Sequence, residues 1–210
     1  HEVTNSGSDR SQLSAMAKLA KAAIATDKLE VVADRGYFKS EEILACDKDG
    51  ITVTLPKPLT SNSKAKGRFG KQDFRYESED DAYLCPAGEH LIRHTTTVER
   101  GLTLHRYWTN TFQSCTIKDK CTTGKERRVT RWEHEHILEA VQQRLDENPE
   151  KMRQRRETVE HPFGTIKCWM GYTHFQMKTL KRVGTEMALH VLAYNIKRVI
   201  NIIGIAPLMA

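Results

Sequence analysis

The chain has 210 residues, 39% hydrophobic and 29% charged, so it can form a globular core and is not a disordered chain. It has 33 Lys and Arg residues and 27 Asp and Glu residues, which gives a net charge of +6. This positive charge suits a nucleic-acid partner without requiring one. The five irregularly spaced cysteines, with no signal-peptide pattern, favour reduced thiols in the cytoplasm. The most apolar stretch, 190–205, contains Lys197 and Arg198 and predicts a buried helix, not a membrane span.

The first 59 residues predict an α/β unit. Asp9 and Gln12 resemble a capping box before the first helix, and Ser40 is a predicted cap of the second. The predicted elements are a helix over 14–26, a strand over 29–33, a helix over 41–48 and a strand over 51–55. This order favours parallel pairing of the two strands.

From about residue 60 the composition changes to a basic, Gly-containing loop, followed by alternating runs at 73–76 and 102–108. This pattern predicts a β-rich segment. Helical periodicity returns at Trp132. The predicted helices cover 136–145, a segment from about 150, and 180–203. The predicted organisation is therefore a first part of the core at 1–59, a β-rich segment at 60–131 and a helical part at 132–210.

Asp34 directly follows the buried strand predicted at 29–33. Open α/β sheets place catalytic groups at the carboxyl ends of their strands, where a carboxylate can hold a divalent metal. The simpler interpretation is a turn aspartate that caps the backbone after it. The local sequence alone leaves both interpretations open.

A second charged pattern combines Arg153, Arg156, Glu160 and Lys167. On a continuous helix the four side chains would share one face, and a carboxylate among cations suits metal and phosphate binding. A solvated helix with internal ion pairs is the alternative. Pro162 predicts a kink or two short helices, which would disturb the alignment of Lys167.

Three segments together resemble the insertion-sequence DDE transposases. They are Val31–Tyr37 (VVADRGY), Arg156–Lys167 (RETVEHPFGTIK) and His190–Arg198 (HVLAYNIKR). The resemblance implies an α/β, RNase H-like core with a β-rich insertion between the second and third catalytic acids. It identifies Asp34 as the second acid and Glu160 as the third. It also implies Mg²⁺ or Mn²⁺ as the cofactor.

The same resemblance assigns DNA contacts to the glutamate helix. Arg156 and Lys167 match the Tyr-x2-Arg-x3-Glu-x6-Lys signature of these transposases, whereas Arg153 replaces its tyrosine. The implied activity is cut-and-paste cleavage and transfer of element ends, with terminal repeats and target DNA as double-stranded substrates. A homodimer associated with the cytoplasmic nucleoid, without a membrane partner, is also implied. The first acid is expected upstream of His1, so we expect an N-terminally truncated core that is inactive alone.

Two further sets of residues are candidates for binding. Cys85, Cys115 and Cys121 resemble a cysteine arrangement of related transposases and predict a structural Zn²⁺ site, with plain reduced thiols as the alternative. The candidates for the fourth zinc ligand are His90, His94 and His105. A basic loop can track DNA phosphates, or be merely solvated. Its cations are Lys64, Lys66, Arg68 and Lys71.

Two other functions are compatible with the sequence: a metal-dependent RNase H-like nuclease, and a non-catalytic DNA-binding remnant of a transposase. The Arg156–Glu160–Lys167 signature argues against the nuclease, whereas the missing first acid favours the remnant. Trp108, Trp132 and Trp169 are expected in the core, although a tryptophan can also stack on an unpaired base.

Overall fold

The computed structural model describes residues 1–58 and 61–209, which form two compact units. One unit comprises His1–Lys57 together with Ala140–Ala210, and the other comprises Pro58–Glu139. The predicted domain boundary between residues 59 and 60 lies outside the described residues, and the boundary at 131 also stays a prediction. In the described ranges no helix combines the length and the apolar character needed to cross a bilayer.

The first unit begins with helices and strands that alternate along the chain. They are α1 (Leu13–Ile24), β1 (Leu29–Val32), α2 (Ser40–Lys48) and β2 (Ile51–Thr54). β1 and β2 pair in parallel, with Leu29 opposite Ile51, which confirms the predicted pairing. The backbone N–H of Ser14 donates to the Glu42 carboxylate at 3.0 Å and joins α1 to α2.

The predicted helix caps differ from the structure. Asp9 begins a 3₁₀ turn, Asp9–Ser11, and the hydroxyl of Ser8 caps this turn. Gln12 makes no side-chain cap hydrogen bond, so the predicted capping box is wrong. Ser40 is the first residue of α2 and not its cap. The chain tightens into a 3₁₀ turn before α1, and this turn takes the positions that a capping box would need.

The second unit contains an antiparallel sheet of five strands in the order β3-β4-β5-β6-β7. The strands are β3 (Arg75–Glu77), β4 (Ala82–Leu84), β5 (His90–Glu99), β6 (Leu102–Trp108) and β7 (Val129–Trp132). A short helix, α3 (Lys118–Cys121), lies between β6 and β7 in the chain. The β-rich character predicted for this part of the chain is therefore present.

The core of the second unit is built around Tyr107 of β6, which is fully buried. Its ring centroid lies 5.1 Å from that of Tyr83 and 6.2 Å from that of Tyr76. Edge-to-face aromatic pairs of this kind add stabilisation beyond the area that they bury. The buried residues of this core are Phe74, Tyr83, Leu91, Tyr107, Phe112, Cys121 and Val129.

Asp81 gives the aromatic cluster a polar partner. The hydroxyls of Tyr107 and Tyr76 donate to its Oδ1 at 2.7 and 2.9 Å, and Arg93 pairs with Oδ2 at 3.1 Å. Burial opposes ionisation of Asp81, but these hydrogen bonds and the charge of Arg93 outweigh it and hold the pKa of Asp81 below its ordinary value. The two tyrosine hydroxyls are thus satisfied by an ionised carboxylate.

Four helices follow the sheet, and the first of them runs from the second unit into the first. They are α4 (Glu135–Glu147), α5 (Glu150–Gly164), α6 (Leu180–Ile203) and α7 (Ala206–Met209). Arg144 of α4 donates twice to the carbonyl of Val53 in β2, at 3.1 and 2.9 Å. α5 continues through Pro162, so a division into two short helices, one of the two outcomes predicted for this proline, is wrong. A π-helical turn, Thr165–Trp169, follows α5 directly.

α6 has the predicted bounds but not the predicted burial. Its apolar residues Leu192, Ile196 and Ile202 are 54%, 49% and 70% exposed, so the prediction of a buried helix over 190–205 is wrong in this structure. Glu186 is the buried residue of α6, and its carboxylate accepts the backbone N–H groups of Gln176 and Met177 at 2.7 and 2.9 Å. The π-helical turn contacts one part of this 24-residue helix, and the apolar side chains beyond that part remain exposed to solvent.

Candidate active site

Asp34 lies two residues beyond the end of β1, where Ala33 still donates to the carbonyl of Thr54 at 3.1 Å. Its Oδ1 accepts the backbone N–H of Gly36 at 2.7 Å and caps a 3₁₀ turn over Arg35–Tyr37. A Cβ atom at position 36 would lie 2.9 Å from this oxygen, so a larger residue there would displace the Asp34 carboxylate. The interpretation of Asp34 as a turn cap is therefore correct for Oδ1, while Oδ2 faces another partner.

That partner is Arg155 of α5, whose Nη2 lies 2.8 Å from Asp34 Oδ2. A second ion pair joins the same helix to β1, since Lys151 Nζ lies 2.9 Å from Glu30 Oε2. Lys151 and Arg155 are one helical turn apart, and Glu30 and Asp34 are likewise four residues apart. The two ion pairs attach the first half of α5 to β1 and to the turn after it.

Arg155 was not predicted from the sequence, although Arg153 and Arg156 on either side of it were. Each ion pair joins residues separated by 121 positions. The one signal in the sequence is that basic residues at 151 and 155 match acidic residues at 30 and 34 in spacing. This match becomes meaningful only once α5 is known to lie beside β1.

Glu160 lies on α5, five residues beyond Arg155, or about 7.5 Å further along the helix axis. Its side chain is exposed. No hydrogen bond or ion pair links its carboxylate to another residue within 1–58 and 61–209. The neighbouring His161 contacts Tyr194 of α6, with 3.2 Å between Nδ1 and the hydroxyl oxygen. Glu160 is thus an accessible carboxylate on the helix that is anchored at Asp34.

The cations predicted around Glu160 differ in their surroundings. Arg153 pairs with Glu157 at 3.7 Å in an exposed i,i+4 contact, as the solvated-helix alternative expects. Arg156 is exposed one turn before Glu160. Lys167 lies in the π-helical turn, where the spacing is i→i+5, and its alignment with Glu160 stays a prediction.

Asp34 and Glu160 have the donor chemistry of a magnesium or manganese site. Carboxylate oxygens are the ligands that hard divalent cations prefer, and each carboxylate has about four acceptor positions, of which two are used at Asp34. No group of three or more His, Cys, Asp or Glu side chains is placed to hold a metal in residues 1–58 and 61–209. Each carboxylate has the chemistry of one ligand in such a set, and a metal site shared by the two stays a prediction.

The thiols predicted to bind zinc, those of Cys85, Cys115 and Cys121, line one cavity of about 200 Å³ in the second unit. Burial raises the pKa of the Cys121 thiol, Arg127 opposes this rise, and the two neighbouring thiols add to it. The predicted fourth ligands are bound elsewhere, and none of them lines the cavity. His90 contacts Glu77, His94 the carbonyl of Trp108, and His105 the hydroxyl of Thr96. A zinc site at these cysteines stays a prediction.

The four cations of the basic loop predicted to bind phosphates differ in exposure and in pairing. Lys64 and Lys66 lie on an exposed 3₁₀ turn, and Arg68 is half-buried. Lys71 instead pairs with Glu135 at 2.8 Å, so its charge is already compensated. The first three cations are therefore better placed for DNA than the fourth.

The three tryptophans predicted to lie in the core differ in how far they are buried. Trp132 is buried at 5% exposure, as predicted, and Trp108 is half-buried and stacks on the His94 ring at 3.9 Å between centroids. Trp169, however, is 83% exposed, so its assignment to the core is wrong. It ends the π-helical turn, which presents the indole ring outward.

Arg155 would compete with a metal ion for the Asp34 carboxylate. We therefore expect the Arg155→Gln variant to bind Mg²⁺ about two- to fivefold more tightly, because a partly exposed ion pair contributes up to about 1 kcal/mol of free energy. Isothermal titration calorimetry measures the change. Lys151→Gln is the matched control, because it removes the neighbouring ion pair without touching Asp34. Weaker Mg²⁺ binding by Arg155→Gln would show instead that Arg155 holds Asp34 in position for the ion.

A family model described as a transposase DDE domain matches residues 84–200, which is more than half of the 210-residue chain. The matched range contains Glu160, Lys167 and the three cavity cysteines, whereas Asp34 precedes it. No curated protein and no solved structure matches the chain. A DDE domain implies an RNase H-like fold and a transposase-type activity on phosphodiester bonds. The chain belongs to the transposase DDE domain family.

Proposed function

We propose that this chain forms part of the catalytic core of a DNA transposase that cuts insertion-sequence ends and transfers them to target DNA. The observation that carries this proposal is the attachment of α5 to Asp34 through Arg155 at 2.8 Å. It brings the helix that bears Glu160 against the carboxyl end of β1, the position at which α/β sheets place their catalytic groups. Family membership supplies the reaction class.

In this proposal Asp34 and Glu160 hold Mg²⁺ or Mn²⁺, and the ion supplies Lewis-acid stabilisation of charge at the phosphodiester. Asp34 is held in orientation by Gly36 and Arg155, whereas Glu160 is free to adjust. Arg156 neutralises phosphate charge one turn from Glu160. Further positive charge comes from Lys167, just beyond the end of α5, and from Arg153 in its first turn, after release from Glu157.

Double-stranded DNA is the proposed partner, both as element ends and as target. The net charge of +6 and the exposed cations Lys64 and Lys66 support binding along a phosphate backbone. Action as a homodimer on paired ends, in the cytoplasm at the nucleoid, follows from the family resemblance.

A non-catalytic DNA-binding remnant is the second candidate. Its specific support is that Oδ2 of Asp34 is bound by Arg155, a contact that stabilises structure without any metal. The two candidates differ in one property. A catalytic core binds DNA more tightly in the presence of a divalent ion held by Asp34 and Glu160. A remnant binds DNA through phosphate contacts alone, so the ion does not change its affinity.

Fluorescence anisotropy with duplex DNA at fixed ionic strength tests the proposal. We expect Ca²⁺ to tighten binding by the parent chain but not by the Asp34→Asn/Glu160→Gln double variant. Arg156→Ala should weaken binding and reduce the slope of log K against log salt by about one. Lys18→Ala is the control, because Lys18 pairs with Asp49 at 2.9 Å on another helix.

Each outcome has a defined meaning. Binding that is equally strong with and without Ca²⁺, in the parent and in the double variant, would favour the remnant. Absence of duplex binding, or binding that Lys18→Ala weakens as much as Arg156→Ala does, would overturn the proposed DNA interface on α5.

A further inference from the structure

The cavity of the second unit that the three thiols line also contains a cation, Arg127. The Nε atom of its guanidinium is buried and has no hydrogen-bond partner among the described residues. The guanidinium carbon lies 5.5 Å from the centre of the Phe74 ring, a cation–π contact that engages the charge but accepts no hydrogen bond. A buried N–H of a charged group is costly without an acceptor, so a ligand that brings one would be stabilised here.

The side chains around Arg127 do not provide this acceptor. Glu89 also lines the cavity, but it is exposed and its carboxylate accepts the hydroxyl of Thr111 at 3.2 Å. Burial raises the pKa of the Cys121 thiol, although Arg127 lowers it, so this thiol stays protonated at neutral pH and brings no negative charge. Arg127 forms no ion pair with any of the residues that the structure describes. Its positive charge is therefore uncompensated.

Much of the remaining wall of this cavity is apolar. The apolar side chains include Phe69, Phe74, Leu91, Phe112 and Ile117. The hydroxyls of Thr109 and Thr111 contact each other at 2.9 Å, and that of Ser114 donates to the carbonyl of Thr111 at 2.9 Å, so these polar groups have partners within the protein. The cavity volume is about 200 Å³. An apolar cavity of about 150 Å³ accommodates benzene, so this one has room for a similar body with one small polar group.

We infer that this cavity binds a small carboxylate with an apolar body, of about the size of benzoate. The hydrocarbon part packs against the phenylalanine rings, and the carboxylate accepts hydrogen bonds from Arg127, whose planar guanidinium matches the geometry of a carboxylate. The competing occupant is a zinc ion held by the three thiols, which would leave Nε of Arg127 without an acceptor. The inference is independent of the proposed function, because Asp34 and Glu160 belong to the other unit.

Isothermal titration calorimetry with sodium benzoate, at a fixed chloride concentration, tests the role of Arg127. We expect Arg127→Gln to weaken benzoate binding about 10- to 150-fold, the effect of losing hydrogen bonds to a charged group. Benzamide has the same shape without the charge, so it should bind the parent chain more weakly than benzoate and respond little to this substitution. Arg128→Gln is the matched control, because Arg128 pairs with Glu126 and does not belong to the cavity wall.

Two substitutions at Cys115 separate the space in the cavity from the chemistry of its thiols. Cys115→Leu fills part of the cavity and should weaken benzoate binding at least about tenfold, whereas Cys115→Ser retains the space and should keep the affinity within a factor of about two. Circular dichroism checks that each variant is folded. Unchanged benzoate affinity in Arg127→Gln or in Cys115→Leu would overturn the inference. So would a zinc ion, measured by atomic absorption, that excludes benzoate from the purified chain and is lost in Cys115→Ser.

Discussion

Glu160→Gln and Asp34→Asn are each expected to weaken Mg²⁺ or Mn²⁺ binding at least tenfold, about 1.4 kcal/mol, because an amide carries no charge to offset the desolvation of the ion. Asn retains the side-chain oxygen that caps the turn at Gly36, so Asp34→Asn keeps this cap while it removes the charge that pairs with Arg155. Glu160 forms no hydrogen bond or ion pair with the described residues that its replacement would break. Loss of binding in both variants would show that the two acids hold one ion.

Isothermal titration calorimetry on the 210-residue chain measures this effect. Glu157→Gln provides the matched control, because Glu157 is an exposed glutamate of the same helix that pairs with Arg153. Its affinity for the ion should remain within a factor of two of the parent value, as expected of a surface ion pair. If the three variants and the parent all bind Mg²⁺ alike, Asp34 and Glu160 do not form a shared metal site in this chain.

Tyr107→Ala is expected to destabilise the second unit by about 3–5 kcal/mol, the range for truncating a large aromatic residue in a core. Tyr107 is fully buried, and its loss removes both the ring contacts with Tyr83 and a hydrogen bond to Asp81. Tyr107→Phe should cost only about 1–2 kcal/mol, because Asp81 keeps its bonds to Tyr76 and Arg93.

Urea unfolding monitored by tryptophan fluorescence measures these changes in the free energy of unfolding, since Trp132 is buried in the same unit. Val98→Ala on β5 is the control, because this side chain is 73% exposed and its truncation should cost less than about 0.5 kcal/mol. A Tyr107→Ala variant as stable as Val98→Ala would mean that the aromatic cluster does not hold the sheet together.

Local sequence patterns predicted the helices better than the sheet. The helix over Leu180–Ile203 has the predicted bounds because its apolar residues repeat with helical periodicity. β5 (His90–Glu99) was not predicted, since Leu91 is its single buried residue and six of its other side chains are polar and exposed. Without an apolar face on alternate residues, a strand leaves no periodic signal, and only its partners in the sheet define it.

In the candidate site, too, some residues were predicted from local sequence and others were not. Asp34 and Glu160 were predicted from a resemblance carried by short segments around them. Arg155 was not predicted, because its partner lies 121 residues away and neighbouring arginines offer the same charge. The exposure of Trp169 was predicted wrongly, since a tryptophan in an apolar context is usually buried.

The sequence by itself determined which segments become helices and buried strands, because periodicity is a local property of the chain, and its motifs indicated the family and two candidate carboxylates. Only the tertiary structure decided that Arg155 holds Asp34, that Lys71 is paired with Glu135, and that Arg127 lines the same cavity as the three thiols. These contacts depend on how distant segments pack. Charge and apolar character fix what a side chain can bind, whereas packing selects which of many equivalent partners it meets.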